Sequence, residues 1–417
     1  MRAIINRSRI AGRVTAPASK SYTIRSLMCA ALAGGDSRII NPLTADDSLA
    51  AAGVLSQVGI DIDEEDDCWR VKGGSLRQPP EDLFCHDSAA TLRFMTAMAA
   101  LIPGRCRLTT GSSLAKRPIE PLLEALSQLG VDCTSQNGSV VVNGGHLRGG
   151  EVEMPGDISS QFISALLLVS PLAEEGVTIH LTTPPQSRPY LEMTLECMRK
   201  FGVEVEASAD YKRFDIRKQA YKPASYHVEG DWSSASYFLA LGAMTGRVEV
   251  ANLDTDSLQA DRIVLNLLRQ MGARIDSGDA VGLSQSSLKA ITADLSDGID
   301  LLPTLAVLAA LAKGQSVLSG IGRARLKESN RVTAVRDGLE RMGVAVSEEG
   351  DRMIIQGTQP RGAEIDSYGD HRIAMAFGVL GVAVGDTVIN GAGCVAKTYP
   401  GFWQALQSIG GEVRLDV

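Results

Sequence analysis

A chain of 417 residues with 44% hydrophobic and 22% charged residues is long enough for two or three ordinary globular domains. Its formal net charge of -8 argues against a broad nucleic-acid-binding or membrane-binding surface, and its longest apolar runs, 301–312 and 373–384, are too short to cross a bilayer. Seven cysteines without a CxxC pair and five histidines without a metal-binding motif predict reduced thiols, a cytoplasmic location and no protein-built metal site.

The first predicted helix lies in the stretch ASKSYTIRSLMCAALAGG, residues 18–35. It is apolar on nearly every face, which is typical of a buried helix. Lys20 and Arg25 lie near its start, where the helix dipole already disfavours cations. This helix end is therefore expected to meet an anionic ligand.

Similar apolar helices follow along the chain, each preceded by a small polar residue that could cap it. The predicted starting residues, spaced by 67 to 74 residues, are Ser19, Ser88, Ser159, Ser233, Asp300 and Asp370. If the buried helices of one domain run parallel, their N-terminal ends converge on one face and form an anion site.

A second series alternates with the first and repeats a helix end, a glycine and a strand, as in VLSQVGIDI and ALSQLGVDC. Its glycines, 67 to 72 residues apart, are Gly59, Gly130, Gly202, Gly272, Gly343 and Gly410. Glycine just after a helix accepts the left-handed conformation that ends it. The two series together predict six copies of one α/β unit, three per domain, each with one buried and one amphipathic helix.

Basic residues recur near the predicted helix starts and in the neighbouring loops. They are Lys20, Arg25, Arg93, Arg117, Lys327, Arg331, Arg372 and Lys397. Each alone could be an ordinary solvated surface charge. Together they predict a ligand with more than one anionic group, since arginine binds carboxylate or phosphate through two N–H groups and lysine acts as a point charge.

Two acidic residues accompany these cations, and each has two interpretations. Asp300 could cap the apolar helix that follows it, and Glu328 could be the ion-pair partner of Arg331 three residues later. If both carboxylates instead face the anion site, they would accept and donate protons.

The combination of SKSYTIR, KRPI, SSQF, SRPY, EGDWSSASYF, LKESNR, YGDHRIAM and AKTYP closely resembles the 5-enolpyruvylshikimate-3-phosphate synthase family, in order from Pro17 to Pro400. The resemblance implies an α/β fold of two similar lobes, each with three βαβαββ repeats around parallel buried helices, an inside-out α/β barrel with six-repeat pseudo-symmetry. It also implies a discontinuous lobe of residues 1–18 and 230–417, a second lobe of residues 19–229, and an active site in the cleft between the lobes.

By the same resemblance, the protein transfers the enolpyruvyl group of phosphoenolpyruvate to the 5-hydroxyl of shikimate 3-phosphate and releases phosphate. The reaction is an addition followed by an elimination, through a tetrahedral intermediate, and it requires no cofactor and no metal. The expected partners are the two small-molecule substrates alone, with no nucleic acid and no membrane, and the expected state is a monomer.

The resemblance assigns residues to three tasks. Those implied to bind shikimate 3-phosphate are Lys20, Ser21, Arg25, Ser159, Ser160, Gln161, Ser187, Asp300 and Lys327. Those implied to bind phosphoenolpyruvate are Lys20, Ala89, Arg117, Gln161, Arg331, Arg372 and Lys397. The implied catalytic residues are Asp300 as base and Glu328 as proton donor, with Lys20 assisting.

The sequence departs from the family pattern in two places. The stretch DSAATLR has Ala89 where the family often has the glycine that lets phosphoenolpyruvate, or the longer inhibitor glyphosate, approach closely. We therefore expect weaker inhibition by glyphosate. Arg323 stands where many relatives have asparagine, and His371 could either assist catalysis or stabilise a helix start.

Two other functions compete with this interpretation. The sister enzyme that transfers the same group to UDP-N-acetylglucosamine usually has a catalytic cysteine in the loop that corresponds to GSSLAKRPI, which has none here. A non-catalytic repeat protein that binds anions such as RNA would need more aromatic residues and a basic run, which this sequence lacks.

Overall fold

The computed structural model describes residues 1–65 and 67–416. Helices and strands alternate along this part of the chain. The described α-helices are α1 (Lys20–Leu32), α2 (Asp46–Gln57), α3 (Ala89–Ala99), α4 (Glu120–Gln128), α5 (Ser160–Val169), α6 (Arg188–Lys200), α7 (Trp232–Thr245), α8 (Val264–Gln270), α9 (Leu302–Leu311), α10 (Arg331–Arg341), α11 (His371–Val384) and α12 (Phe402–Ser408).

The strands are short, as expected from the sequence. They are β1 (Arg2–Ile5), β2 (Ala11–Thr15), β3 (Gly35–Ile40), β4 (Asp61–Glu65), β5 (Cys68–Gly73), β6 (Leu83–Phe84), β7 (Gly104–Thr109), β8 (Asp132–Gln136), β9 (Ser139–Gly144), β10 (Gly150–Met154), β11 (Val177–Leu181), β12 (Glu206–Ala207), β13 (Arg213–Ile216), β14 (Ser225–His227), β15 (Arg247–Ala251), β16 (Arg274–Ser277), β17 (Val281–Ser284), β18 (Thr292–Asp294), β19 (Gln315–Ser319), β20 (Ala345–Glu349), β21 (Arg352–Gln356), β22 (Glu364–Asp366), β23 (Thr387–Asn390) and β24 (Val413–Asp416).

These strands form six mixed four-stranded sheets, which confirms the predicted α/β repeat. One sheet has the order β6-β7-β9-β8, with β6 parallel to β7 and the other neighbours antiparallel. In chain order this repeat reads β6, α3, β7, α4, β8 and β9, which is the βαβαββ unit. The sheets β10-β11-β13-β12 and β18-β19-β21-β20 repeat the same pattern.

The chain folds as two compact units, each with three of the six sheets. One unit contains Met1–Pro17 and Gly230–Val417, and the other contains Ala18–Glu229. The predicted limits were after residues 18 and 229. The two strands next to these limits do not pair with the repeat that follows them in sequence. Strand β2 precedes α1 but pairs with β15, and β14 precedes α7 but pairs with β3. Strand β1 lies between β23 and β24.

The six apolar helices α1, α3, α5, α7, α9 and α11 are buried along most of their length. Ser19, Ser159 and Asp370 cap α1, α5 and α11 through their side chains, as predicted. Ser88 occupies the predicted N-cap position of α3, but its side chain makes no capping hydrogen bond. The helix α10 has Asn330 at its N-cap, begins with Arg331 and packs against α9 and α11 of its own unit.

Two predicted helix starts are wrong. Asp231, not Ser233, caps α7, because the Asp231 side chain accepts a hydrogen bond from the Ser234 N–H at 2.7 Å. Asp300 does not cap α9. It lies inside a 3-10 turn over Ile299–Leu301, and α9 begins after that turn without a side-chain cap.

The six glycines of the second series follow helix ends as predicted, with φ angles between 79° and 100°. A side chain at these positions would be strained, so glycine allows the chain to turn from each amphipathic helix into the next strand. None of the described helices combines the length and the apolar character needed to span a membrane.

Candidate active site

In the unit formed by residues 1–17 and 230–417, Arg331 joins three carboxylates. It is the first residue of α10 and its side chain is only 1% exposed. Its Nε atom donates to Asp370 Oδ2 at 2.7 Å, its Nη1 atom donates to Asp300 Oδ1 at 2.7 Å, and its Nη2 atom donates to Glu328. A single buried guanidinium therefore fixes the positions of all three acids.

Asp300 joins three cations in the same cluster. Besides Arg331, its carboxylate accepts a hydrogen bond from Arg372 Nη2 at 3.0 Å and lies 3.3 Å from Lys327 Nζ. Burial alone would raise the pKa of Asp300, but the positive charges of Arg372, Lys327 and Arg331 outweigh burial and hold this pKa well below its usual value. Asp300 is thus ionised and, in this arrangement, a weak proton acceptor.

The pKa values of two cations in the cluster are shifted in opposite directions. Burial lowers the pKa of Lys327, an effect that the charge of Asp300 only partly offsets. Burial would also lower the pKa of Arg331, but the charges of Asp370, Glu328 and Asp300 raise it above its usual value. Arg331 therefore remains charged, while Lys327 has become a more readily deprotonated amine.

Asp370 connects the two predicted arginines. Its side chain accepts from Arg331 and from Ser329 Oγ at 3.0 Å, and as the N-cap of α11 it also accepts from the Arg372 N–H at 2.9 Å. Asp370 is fully buried. One carboxylate thus orients the side chain of Arg331 and the backbone that positions Arg372.

Glu328 forms the ion pair with Arg331 that one of its two interpretations predicted. Its side chain is 14% exposed, so the carboxylate retains access to solvent. His371 is buried in the first turn of α11 beside Asp370, with Nδ1 3.7 Å from Asp370 Oδ1. Lys397 ends the 3-10 turn over Ala392–Lys397 and is half-buried.

In the unit of residues 18–229, Lys20 is the first residue of α1, and its Nζ atom lies 3.0 Å from Asp47 Oδ2. Ser21 follows it and is half-buried. Arg25 does not lie at the helix start. It is 2% exposed, between the rings of Phe94 and Tyr190, and donates to Thr194 Oγ1 at 2.8 Å.

Arg93 reaches from the middle of α3 to the start of α5. Its Nη1 atom donates to Ser159 Oγ at 3.2 Å and to Gln161 Oε1 at 2.6 Å, and its guanidinium lies 4.7 Å from the centre of the Phe162 ring. Ser159 caps α5 by accepting from the Gln161 N–H. The predicted Ser159 and Gln161 are therefore held together by a cation.

The remaining predicted residues of this unit lie at the start of a helix or just after a 3-10 turn. Ser160 opens α5 and is buried. Ser187 occupies the N-cap of α6 in the left-handed conformation, with φ 56°. Ala89 is the first residue of α3, and Arg117 follows the 3-10 turn over Leu114–Lys116 and is half-buried.

Sequence reasoning missed the acids that hold the cations. Asp370 was predicted as a helix start but not as the partner of Arg331, which is 39 residues away in sequence. Asp47 was not predicted at all, although its position in the first turn of α2 is a common one for an acid at a helix start. Among the described residues no cluster of histidine, cysteine or acidic side chains suits a metal ion.

Comparisons with known proteins identify the family of this chain. The profile of the EPSP synthase family (3-phosphoshikimate 1-carboxyvinyltransferase) matches residues 4–406. A 3-phosphoshikimate 1-carboxyvinyltransferase of Dehalococcoides mccartyi strain 195 is 53% identical over 100% of both chains. Another, of Methanocorpusculum labreanum, is 40% identical over 99% of this chain and 100% of its own. A solved EPSP synthase from Acinetobacter baumannii superposes with a TM-score of 0.84 at 27% identity, covering 99% of this chain and 100% of that one.

Proposed function

The chain belongs to the EPSP synthase family, and from that premise we propose how its side chains divide the work of the reaction. The activity is that of a 3-phosphoshikimate 1-carboxyvinyltransferase of the shikimate pathway. The enolpyruvyl group of phosphoenolpyruvate passes to the 5-hydroxyl of shikimate 3-phosphate, and phosphate leaves. The competing UDP-N-acetylglucosamine transferase and the RNA-binding protein are not favoured by these relatives.

The observation that carries the assignment is the meeting of Arg331, Arg372 and Lys327 on the carboxylate of Asp300. Such a cluster offers both the cations that an anionic substrate needs and the acids that proton transfer needs. Arg331 and Arg372 bind the carboxylate of phosphoenolpyruvate through their paired N–H groups. Arg117 and Lys397 neutralise its phosphate, with contributions from Lys20 and Gln161 and with Ala89 beside it.

The substrate carboxylate replaces protein carboxylates on the arginines. Asp370 keeps its place on Arg331, since it is fully buried and also caps α11. Asp300 and Glu328 are the exchangeable partners, because both retain some exposure to solvent. Once Arg331 and Arg372 turn to the substrate, Asp300 loses part of the positive charge that lowers its pKa and becomes a better base.

The proton transfers then follow. Asp300 takes the proton of the 5-hydroxyl as its oxygen bonds to C2 of phosphoenolpyruvate. Glu328, which takes up a proton from solvent once it has left Arg331, donates this proton to C3 with the assistance of Lys20. In the tetrahedral adduct, the bond from C2 to the phosphate oxygen breaks, C3 returns its proton to Glu328, and the double bond reforms. The fixed cations stabilise the charge that develops on the departing phosphate.

Shikimate 3-phosphate is assigned to the serine-rich helix starts of the other unit. Its 3-phosphate is bound by Ser159, Ser160 and Ser187. The partial positive charge at the start of α5 also stabilises this phosphate. Ser21 and Arg25 hold the same ligand from α1, while Asp300 and Lys327 contact its hydroxyls.

The oligomeric state, the location and the partners of the protein are also part of the proposal. The protein acts as a monomer in the cytoplasm, with no metal or organic cofactor and with the two substrates as its partners. The cytoplasmic location is supported by the described cysteines, all of which are free thiols.

A direct experiment mixes the purified protein with phosphoenolpyruvate and shikimate 3-phosphate and follows phosphate release, with product identified by mass spectrometry. Shikimate lacking the 3-phosphate is the matched control, and UDP-N-acetylglucosamine is the competing acceptor. Phosphate release that occurs with shikimate 3-phosphate as acceptor, and not with shikimate or the nucleotide sugar, supports the proposal. Release only with the nucleotide sugar, or none with either acceptor, contradicts it.

A further inference from the structure

A second buried carboxyl lies close to Asp300 and has no part in the mechanism above. Asp261 belongs to a 3-10 turn over Ala260–Ile263 and is 2% exposed. Its Oδ2 atom accepts a hydrogen bond from Ser233, in the first turn of α7. Its Oδ1 atom is buried and, within the described part of the chain, has no hydrogen-bond partner.

The free oxygen of Asp261 faces the turn that carries Asp300. A β-carbon placed on Gly298, which caps this turn, would lie 3.5 Å from Asp261 Oδ1. The charged groups that act on Asp261 come from three neighbouring elements: Asp300 in the turn before α9, Arg372 at the start of α11, and Asp231 at the N-cap of α7. Arg262 on its own turn donates instead to the Thr255 carbonyl.

We propose that Asp261 is a positioning residue for the reaction, a buried second carboxyl whose charge determines how strongly Asp300 accepts a proton. The proposal rests on the proposed function, in which Asp300 is the base. Asp261 touches no substrate in this scheme. It acts on Asp300 through the electrostatic interaction between two carboxyl groups in a buried environment.

The direction of the effect follows from the charges. Burial first, and then the negative charge of Asp300, raise the pKa of Asp261 to about 6, although Arg372 and the hydrogen bond from Ser233 act against them. Below this pH Asp261 is neutral, and the cations keep Asp300 a weak base. Above it, the negative charge of Asp261 raises the pKa of Asp300 and so favours removal of the hydroxyl proton.

The activity test compares kcat and both KM values from about pH 5 to about pH 9 in the wild type, Asp261→Asn and Ser233→Ala. The wild-type kcat should rise as Asp261 ionises. In Asp261→Asn this rise should be absent and kcat at neutral pH about tenfold lower, with both KM values changed less than about twofold. In Ser233→Ala, which keeps the carboxyl but removes its hydrogen bond, the rise should move to higher pH. Asp279→Asn, at an exposed ion pair with Arg13, is the control.

A second measurement does not depend on activity. Carbon NMR of labelled aspartate carboxyls should show a group that titrates near pH 6, absent in Asp261→Asn and shifted to lower pH in Asp300→Asn, because the charge that raised its pKa has been removed. An unchanged titration in Asp300→Asn, or an unchanged kcat profile in Asp261→Asn, would overturn the proposal. Inactivity of the wild type would instead contradict the proposed function, and the NMR titration would still decide whether the two carboxyls interact.

Discussion

Arg331 and Asp370 form a buried pair in which Nε lies 2.7 Å from Oδ2 and Nη2 lies 3.3 Å from Oδ1. Asp370 also caps the helix that presents Arg372. The geometry of both arginines therefore depends on one fully buried carboxylate.

Asp370→Asn should reduce both stability and phosphoenolpyruvate binding. The change removes the charge that pairs with a buried guanidinium, and breaking such a pair costs about 3 to 5 kcal/mol. Chemical denaturation gives the free energy of unfolding, and initial rates give KM. The exposed pair Arg13 and Asp279 supplies the control: Asp279→Asn should change the free energy of unfolding by less than about 0.5 kcal/mol. Equal losses in the two variants would contradict the structural role of Asp370.

Asp300→Asn and Arg372→Lys should affect different kinetic constants. Without its carboxylate base, Asp300→Asn should lose about 100-fold or more in kcat, with smaller changes in KM. Lysine cannot reproduce the paired N–H groups of arginine, so Arg372→Lys should mainly raise KM for phosphoenolpyruvate. Steady-state kinetics with each substrate varied in turn would distinguish them. Matching losses of kcat and kcat/KM in both variants would refute the division of roles.

The stability of the protein should depend on the charge of Asp300 in acid. Because its pKa is lower in the folded protein than in the unfolded chain, where it is about 3.9, the ionised carboxylate stabilises the fold above that pH. This contribution is lost as the pH falls toward the folded value. The wild type should therefore exceed Asp300→Asn in free energy of unfolding at neutral pH, and the difference should shrink below about pH 4. A difference that is constant with pH would show that Asp300 is not held ionised by its neighbours.

Ala89→Gly should make the enzyme more sensitive to glyphosate. Ala89 is the first residue of α3, where its methyl group would limit approach to the helix end. Removing one methyl group changes discrimination between ligands by about 10-fold or more. Dose-response curves at fixed phosphoenolpyruvate measure the effect, and KM for phosphoenolpyruvate in the same variant serves as the reference. Identical inhibition of the wild type and Ala89→Gly would exclude this methyl as the cause.

Ser159→Ala and Ser19→Ala separate capping from ligand binding. Both serines cap buried helices through their side chains, so each change should lower the free energy of unfolding by about 1 kcal/mol. Ser159 also contacts Arg93 and is assigned to the 3-phosphate, whereas Ser19 is fully buried. Only Ser159→Ala should raise KM for shikimate 3-phosphate. A similar rise of this KM in Ser19→Ala would show that the rise in Ser159→Ala comes from lost helix capping and not from lost contact with the ligand.

Features specified by neighbouring residues could be predicted from the sequence. The left-handed glycines and the buried apolar helices belong to this class, because a helix end and its cap occupy adjacent positions. Ser233 and Asp300 were misplaced as helix starts, since several polar residues precede each helix and sequence alone does not show which one bonds to the first turn.

The charge network could not be predicted in the same way. Asp300 is 31 residues from Arg331 and 72 from Arg372, and these contacts exist only after the repeats have packed. The sequence indicated that cations would gather around an anion. It did not indicate that Asp370 and Asp47 would occupy positions beside these cations, or that Asp261 would lie next to the turn that carries Asp300.

The pairing of β2 with β15 and of β14 with β3 limits how the chain can be divided into its two units. No single cut yields two intact halves, because residues 1–17 are needed by the part of the chain that starts at Gly230. Arg2 pairs with Asp416 across β1 and β24, so a short linker could join these positions. A circular permutant that begins at residue 230 and ends at residue 229 would contain each unit as one uninterrupted segment. The chain would then pass from one unit to the other only once, between residues 17 and 18.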